Sequence, residues 1–398
     1  MIEVKELLQK YSVDDLNRAA EEYFAKLDDH TYHLCKPFAG PEDCPKVMFQ
    51  FCTLIQGLDL LRYMDVLDFG AGPCWTSHYL TQMGLKVHAV DVSPTALAIG
   101  KERYSRLPPI GDQPAPTFSV YDGYRLPFAD ESMDRIICFD ALHHVPNVEH
   151  LISEMGRVLR RHGIAGFSEP GPEHSKSDLS QQEMNNHAVL ENDIVIEDIW
   201  QFAQKAGFHQ VELALLSLQP LRVSLPEYNA FLRQGGRSPI AAEVVSNTLA
   251  IARANRLFFL HKEQLPKNSS LTGKPLTVDL NVTLKETSHT AFQPILATVT
   301  VKNNSAFVWL PGAIRFGGVN LGCHLRNLGS GEVVWDFFRS SLSHEERFIQ
   351  PGEELTLDVK LSGLAPGEYE MEFDLVSEHV CWFAEHGSRT SRVIINCS

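Results

Sequence analysis

The segment from Asp65 to Val92, DVLDFGAGPCWTSHYLTQMGLKVHAVDV, constrains the fold most, because it reads without a gap as strand, glycine turn, helix and strand. Val66-Leu67-Asp68-Phe69 is a short apolar run carrying one acid, the composition of a parallel strand buried on both faces. Gly70 and Gly72 break it. Pro73 suits the first turn of a helix, where its missing N–H costs nothing, and Gly84 stops that helix. Leu85 to Val90 forms the second strand, which ends on Asp91. Parallel strands joined through a helix require an α/β sheet.

The same spacing carries chemistry. Two glycines at the carboxyl end of a strand let a ligand lie against bare backbone, and the helix that follows turns free N–H groups toward it. Asp91, 23 residues beyond Asp68, stands where a carboxylate would grip a ribose diol. A nucleoside-containing ligand is therefore expected. A dinucleotide fingerprint needs a third glycine, and Trp75 occupies that position, which counts against NAD.

A chain of 398 residues exceeds what one core usually supports, so two domains are expected. The formal net charge is −15 and the longest basic run is Arg160-Arg161, which disfavours a nucleic-acid partner held through its phosphates. The start, MIEVKELLQKYSVDDL, is amphipathic and charged, without the apolar core of a signal peptide or a membrane span. A cytoplasmic location is expected. The eight cysteines form no CxxC pair, and no HExxH-like cluster occurs, so no metal site is expected.

In chain order, residues 1 to about 30 have helical periodicity, a loop with His30, Tyr32, His33 and Phe38 follows, and a helix from about Glu42 to Leu60 feeds the first strand. Pro94 to Leu107 is a second helix after Asp91. The third strand, Phe118 to Tyr121, ends in Asp122-Gly123. The run LPFADESMDRIICFDALHHVPNVEHLISEMGRVLRRHGIAGFSEP then carries a fourth strand, the Leu142-His143-His144 triplet, a helix and a fifth strand ending at Glu169.

The glycine motif, the acids ending the second and third strands and this unbroken run resemble the class I S-adenosylmethionine-dependent methyltransferases. The resemblance implies a seven-stranded Rossmann-like sheet with helices on both faces over residues 1–264. It also implies an N-terminal helical lid over 1–60 and S-adenosylmethionine as cofactor. The residues implied to hold the cofactor are Asp68, Gly70, Gly72, Asp91, Val92, Asp122, Gly123 and Asp140. Cys74 departs from the pattern, which often has a third small residue there. Glu169, His144 and His174 are the candidate catalytic residues: a carboxylate or a near-neutral imidazole at a strand's carboxyl end can take a proton from an acceptor. For His144 a structural role is weighed against this.

Residues 175–190 read as a polar loop, and a helix with one apolar face starts near Asp193 and stops at Gly207. Phe208 to Leu218 reads as a sixth strand. Arg256 to Lys262 resembles the antiparallel last strand that closes this fold. Residues 219–252 between them, with helical stretches near 226–234 and 239–252, then form an insertion expected to cover the substrate side.

EQLPKNSSLTGKP (263–275) has linker composition; the linker proper is placed at 265–275. Beyond it the periodicity changes to two, with runs at 277–284, 295–301, 332–335, 354–361, 369–375 and 392–395 separated by turns such as Gln350-Pro351-Gly352-Glu353. This pattern predicts an immunoglobulin-like β-sandwich over 276–398. The segments VKNNSAFVW, IQPGEELTLDVKLSGLAPGEYEMEFDLVSE and VCWFAEHGS resemble an accessory sandwich found beside enzymes of bacterial surface-polysaccharide clusters. Trp309, Trp335, Phe337, Phe338, Trp382 and Phe383 are candidate stacking platforms for sugar rings, against which stands packing in the core.

Together these readings describe a methyltransferase that alkylates an oxygen, or as the lesser alternative a nitrogen, of a sugar-containing acceptor in surface-glycan synthesis, with a small-molecule or glycan acceptor as partner. Two alternatives stay open. One is a small-metabolite or natural-product methyltransferase whose sandwich makes a homo-oligomer. The other is a non-catalytic binding protein on the same scaffold, for which Cys74 counts.

Overall fold

The computed structural model describes residues 1–216, 220–286, 288–343 and 346–398. The chain divides into two compact units, Met1–Gln264 and Leu265–Ser398.

Unit 1 is a seven-stranded sheet with helices along the chain between its strands. The strands are β1 (Asp65–Phe69), β2 (Lys86–Asp91), β3 (Thr117–Val120), β4 (Met133–Phe139), β5 (Leu159–Pro170), β6 (Gln210–Leu213) and β7 (Asn255–His261), in the order β3-β2-β1-β4-β5-β7-β6. β1 pairs in parallel with β2 and with β4, so Leu67 sits between His88 and Ile136. β7 alone runs antiparallel, against both β5 and β6. The strand order reverses between β1 and β4, and such a switch point opens a crevice outside the carboxyl ends of the strands. The glycine turn and Asp140 stand on either side of it.

Burial follows from the apolar strands. Leu67, Val90, Ile136, Cys138, Ala165, Phe167, Phe258 and Leu260 are buried in one cluster, with the Phe167 and Phe258 rings stacked 4.6 Å apart.

The helices are α1 (Val4–Lys10), α2 (Val13–Ala25), α3 (Thr31–Cys35), α4 (Cys44–Gly57), α5 (Trp75–Gln82), α6 (Pro94–Arg106), α7 (Val148–Val158), α8 (Asp178–His187), α9 (Ile196–Lys205), α10 (Leu225–Gln234) and α11 (Pro239–Ala254). The expected N-terminal helix is broken at Tyr11–Ser12, because Ser12 and Asp15 exchange hydrogen bonds in a capping box that starts α2 afresh. The polar stretch 175–190, expected as loop, is mostly α8: Ser177 caps it by accepting from the Ser180 N–H. The expected sixth strand shortens to Gln210–Leu213, and Ser217, Leu218 and Gln219 lie outside the described residues. α10 and α11, the expected insertion, bury none of their residues.

Unit 2 contains β8 (Val278–Leu284), β9 (Ser288–His289), β10 (Ile295–Asn303), β11 (Val319–Asn327), β12 (Val333–Ser341), β13 (Glu354–Leu361), β14 (Gly367–Ser377), β15 (Cys381–Trp382) and β16 (Ser391–Cys397). They form a three-stranded sheet, β13-β10-β8, and a second sheet ordered β12-β11-β14-β16-β9 with β15 on β14. Alternate residues such as Val299 and Val301 from the first sheet and Phe373 and Leu375 from the second share one buried core with Trp309 and Phe383. β11 was not expected, since Gly322 and Asn320 interrupt the alternation of VNLGCHLRN.

Residues 265–275 are part of this unit rather than a free linker. Ser270 is fully buried; its N–H donates to Val308 O at 2.8 Å, and its hydroxyl donates to Gly317 O at 2.6 Å.

Candidate functional site

The crevice is built from the glycine turn outward. Gly70 and Gly72 have φ of +66° and +49°, a region that side chains with a Cβ enter at a cost. A Cβ on Gly70 would stand 2.3 Å from Cβ of Ala141, whereas one on Gly72 would have no atom within 4 Å. The turn thus closes against β4 at Gly70 and leaves a bare backbone cradle at Gly72. Cys74 is left-handed at φ +58° and caps α5. Its sulfur packs where a Cβ on Gly100 of α6 would come within 2.4 Å. The absence of a side chain at Gly100 thus makes room for Cys74.

Asp91 binds this turn directly. Its Oδ2 accepts the Gly72 N–H and its Oδ1 the Ser93 N–H, both at 2.8 Å. Burial raises its pKa, against the pull of those amides. Asp68 faces inward: it is 1% exposed and accepts the hydroxyls of Thr76 at 2.6 Å and Ser77 at 2.5 Å. Its carboxylate fixes the turn to α5 through these two hydroxyls. Val92 is half-buried beside Asp91. At the end of β3, Asp122 is exposed and its Oδ1 accepts the N–H groups of Tyr124 and Arg125 at 2.8 and 2.7 Å. The Gly123 carbonyl accepts from Asn147 Nδ2 at 2.9 Å. Asp140 is exposed at φ +56°, held by its N–H to Ser168 O at 2.8 Å.

The N-terminal helices close over this rim. Glu21 of α2 accepts hydroxyl protons from Ser93 at 2.6 Å and Thr95 at 2.5 Å. Asn17 Nδ2 donates to Asp122 O at 3.3 Å. Arg103 of α6, 2% exposed, donates to Pro73 O at 3.2 Å and to Lys36 O at 3.1 Å, so one guanidinium joins the glycine turn to the segment after α3. Neither Glu21 nor Arg103 carries a sequence signal, since each is an ordinary charge on a helix. Trp75 is buried, its ring 5.1 Å from Phe51 and 5.2 Å from Phe139.

The three candidate catalytic residues separate. Glu169 was expected above the reacting centre as a base; its side chain is wholly buried. It accepts the amides of Ala141 at 3.1 Å and Leu142 at 2.9 Å, and Nδ1–H of His143 at 2.7 Å. With its lone pairs taken, it is a buttress of the β4 turn. Burial lowers the pKa of His143, but the hydrogen bond and charge of Glu169 outweigh this and push it up to about 9.

His144 is the open one, with 41% of its side chain exposed. Its Nδ1 donates to Leu190 O at 2.7 Å, which fixes the tautomer and leaves Nε2 with a bare lone pair. Desolvation, then the charge of His143, hold its pKa below the ordinary value, so the ring is neutral at pH 7. His174 lies nearby, its Nε2 2.6 Å from Glu191 Oε2.

Residues 67–167 match a family profile described as a methyltransferase domain. The chain is similar to methyltransferase GfsG of Streptomyces halstedii, 26% identical over 195 residues that cover 47% of this chain and 69% of that one. It is also similar to demethylmenaquinone methyltransferase of Streptomyces griseus, 32% identical over 28% of this chain and 46% of that one. The match thus spans under half the length of the latter. Among solved structures, phosphoethanolamine N-methyltransferase 2 of Haemonchus contortus, bound to S-adenosylhomocysteine, aligns with a TM-score of 0.44 and 19% identity over 64% of this chain and 61% of that one.

Unit 1 thus contains, over residues 67–167, a stretch that matches a methyltransferase domain. It is dependent on S-adenosylmethionine, and the Gly72 cradle with Asp91 behind it fits that cofactor.

Proposed function

We propose that the chain transfers a methyl group to an oxygen of a sugar-containing acceptor, acting in the cytoplasm in the synthesis of a surface glycan. The observation that carries the choice of oxygen is His144, a neutral imidazole with Nδ1 spoken for and Nε2 free at the carboxyl end of β4. An alcohol needs a base as it is alkylated, and a neutral histidine is suited to that work at pH 7. S-adenosylmethionine, when bound, supplies an electrophilic methyl group.

The chain's own residues do the rest. Gly72 and Asp91 would hold the nucleoside end, Asp122 and Gly123 the base, and Asp140 and Trp75 the methionine end. Glu21 and Arg103 would keep the N-terminal helices closed, which excludes water. His144 Nε2 would take the proton leaving the acceptor oxygen. Alignment of the acceptor supplies much of the rate in such a displacement.

The sugar class is supported by the face of unit 2 around Trp335, which is 72% exposed. His324 stands 4.7 Å from its ring and 4.5 Å from that of Trp382, and Arg339 lies 4.6 Å over Trp382. An aromatic surface with a cation and the Asp336 carboxylate at its edge suits a pyranose, whose apolar face stacks and whose hydroxyls need donors and acceptors. Trp309 and Phe383 are buried in the core and drop out of this role. Unit 2 is read as an immunoglobulin-like accessory module that retains the acceptor.

The test is methyl transfer by the full chain to a panel of nucleotide sugars, oligosaccharides, phenols and quinols, read by mass spectrometry. Methylation of sugars, weakened at low acceptor concentration by Trp335→Ala, supports the reading. Methylation confined to phenols or quinols sinks it and favours a small-metabolite enzyme.

A further inference from the structure

A second group of side chains beside His144 has no part in the proton transfer. One donor atom from each of His143, His174 and Glu191 lies within 4.8 Å of the others. They come from the turn after β4, the turn after β5 and the segment before α9. At separations of 31 and 17 residues they form no ligand motif in the sequence.

His143 and Glu191 are held from behind. His143 gives Nδ1 to Glu169 at 2.7 Å, which leaves Nε2 as the nitrogen available to a ligand. A ring backed by a carboxylate in this way is the usual outer support of a histidine that binds metal. Glu191 Oε2 accepts from Ser180 Oγ at 3.2 Å. The Asn192 N–H donates to His143 O at 2.8 Å, tying the two segments together. His174 Nε2 stands 2.6 Å from Glu191 Oε2.

We propose that His143, His174 and Glu191 form a site for one divalent first-row transition-metal ion, on the acceptor side of the crevice. Two imidazoles and a carboxylate are a donor set that zinc, iron(II) and cobalt(II) accept, and three protein ligands leave positions open. An acceptor oxygen would fill one of them; this role, unlike ion binding itself, rests on the methyltransferase reading. Loading would replace the 2.6 Å hydrogen bond between His174 and Glu191 with bonds of about 2.0–2.2 Å from each to the ion. His174 is the part free to move. It is 25% exposed and sits on a three-residue turn entered through Glu173 at φ +66°.

The experiment is titration of untagged, chelator-stripped full-length protein with cobalt(II) chloride, followed by visible absorption and by metal content after dialysis. One equivalent retained, with ligand-field bands, is expected. Glu191→Gln and His174→Ala should each weaken retention at least tenfold, while His379→Ala in unit 2 should not. Calorimetry with S-adenosylhomocysteine on the same variants shows that they are folded and reports the cofactor site independently. Failure of wild type to retain cobalt, zinc or manganese above a trace overturns the proposal, as does retention unmoved by both variants. If a variant fails to bind S-adenosylhomocysteine, the wild-type stoichiometry and the other variant decide.

Discussion

Glu21 and Ser93 are 72 residues apart in the chain and share a hydrogen bond of 2.6 Å, which fastens the second N-terminal helix to the first turn of α6. Ser93 is also the residue whose amide holds Asp91 Oδ1. The latch and the acid that faces the cofactor cradle thus meet at one serine.

Glu21→Ala should loosen the lid and weaken S-adenosylhomocysteine binding about tenfold, roughly 1.4 kcal/mol. Burial by itself would raise the Glu21 pKa, but the hydroxyls of Ser93 and Thr95 and the Thr95 amide bring it below its ordinary 4.5. A depressed carboxylate contributes above that range and is lost as the pH falls through its folded value. Wild-type affinity should therefore drop below about pH 4.5 by more than that of the variant. Equal calorimetric affinities at neutral pH would dismiss the latch.

Asp68 titrates in the opposite sense. Burial pushes its pKa up to about 6 from 3.8, against the hydroxyls of Ser77 and Thr76. The folded state holds this proton the more tightly, so its contribution is complete below the unfolded value and is lost as the pH rises through about 6. Wild type should lose about 2 kcal/mol relative to Asp68→Asn between pH 4 and pH 7, since asparagine keeps an acceptor for both hydroxyls. Urea unfolding of both proteins across that range reads the difference, and parallel curves would refute it.

The succession of parallel strands was legible because Asp65–Val92 states a βαβ unit and the run to Glu169 carries it on. The places of the expected cofactor residues in the glycine turn and at the strand ends were legible as well, since strand ends and turns are local. Catalytic positions did not. Glu169 ends a strand as a base would, yet whether its oxygens face the crevice depends on the Ala141 and Leu142 amides, which arrive from another strand. His144 and Leu190 meet across 46 residues. The packing of 265–275 was hidden for a related reason: a polar composition suggests a linker, and Ser270 is buried only because Val308 and Gly317 satisfy it.

Gly72→Ala separates local strain from ligand loss. At φ +49° the new methyl meets nothing within 4 Å, so stability should fall only by the left-handed backbone cost of about 1–2 kcal/mol. The methyl fills the cradle, so S-adenosylhomocysteine affinity should fall much further, by a hundredfold or more, on the order of 3 kcal/mol. An affinity loss no larger than the stability loss would move the cofactor away from Gly72.

The sharpest contrast is between His144 and Glu169. If His144 Nε2 takes the acceptor proton, His144→Ala should lower kcat about 100- to 10,000-fold and leave S-adenosylhomocysteine affinity and thermal stability nearly unchanged, because 41% of the side chain is already in solvent. Glu169→Ala removes the partner of a buried His143 and strands the Ala141 and Leu142 amides. It should cost about 3–5 kcal/mol of stability. Mild methyl-transfer loss in the histidine variant, with a stable but inactive glutamate variant, would reverse the two roles. Activity and melting curves measured on the same preparations distinguish the outcomes, since a base changes the rate without the fold and a buttress changes both.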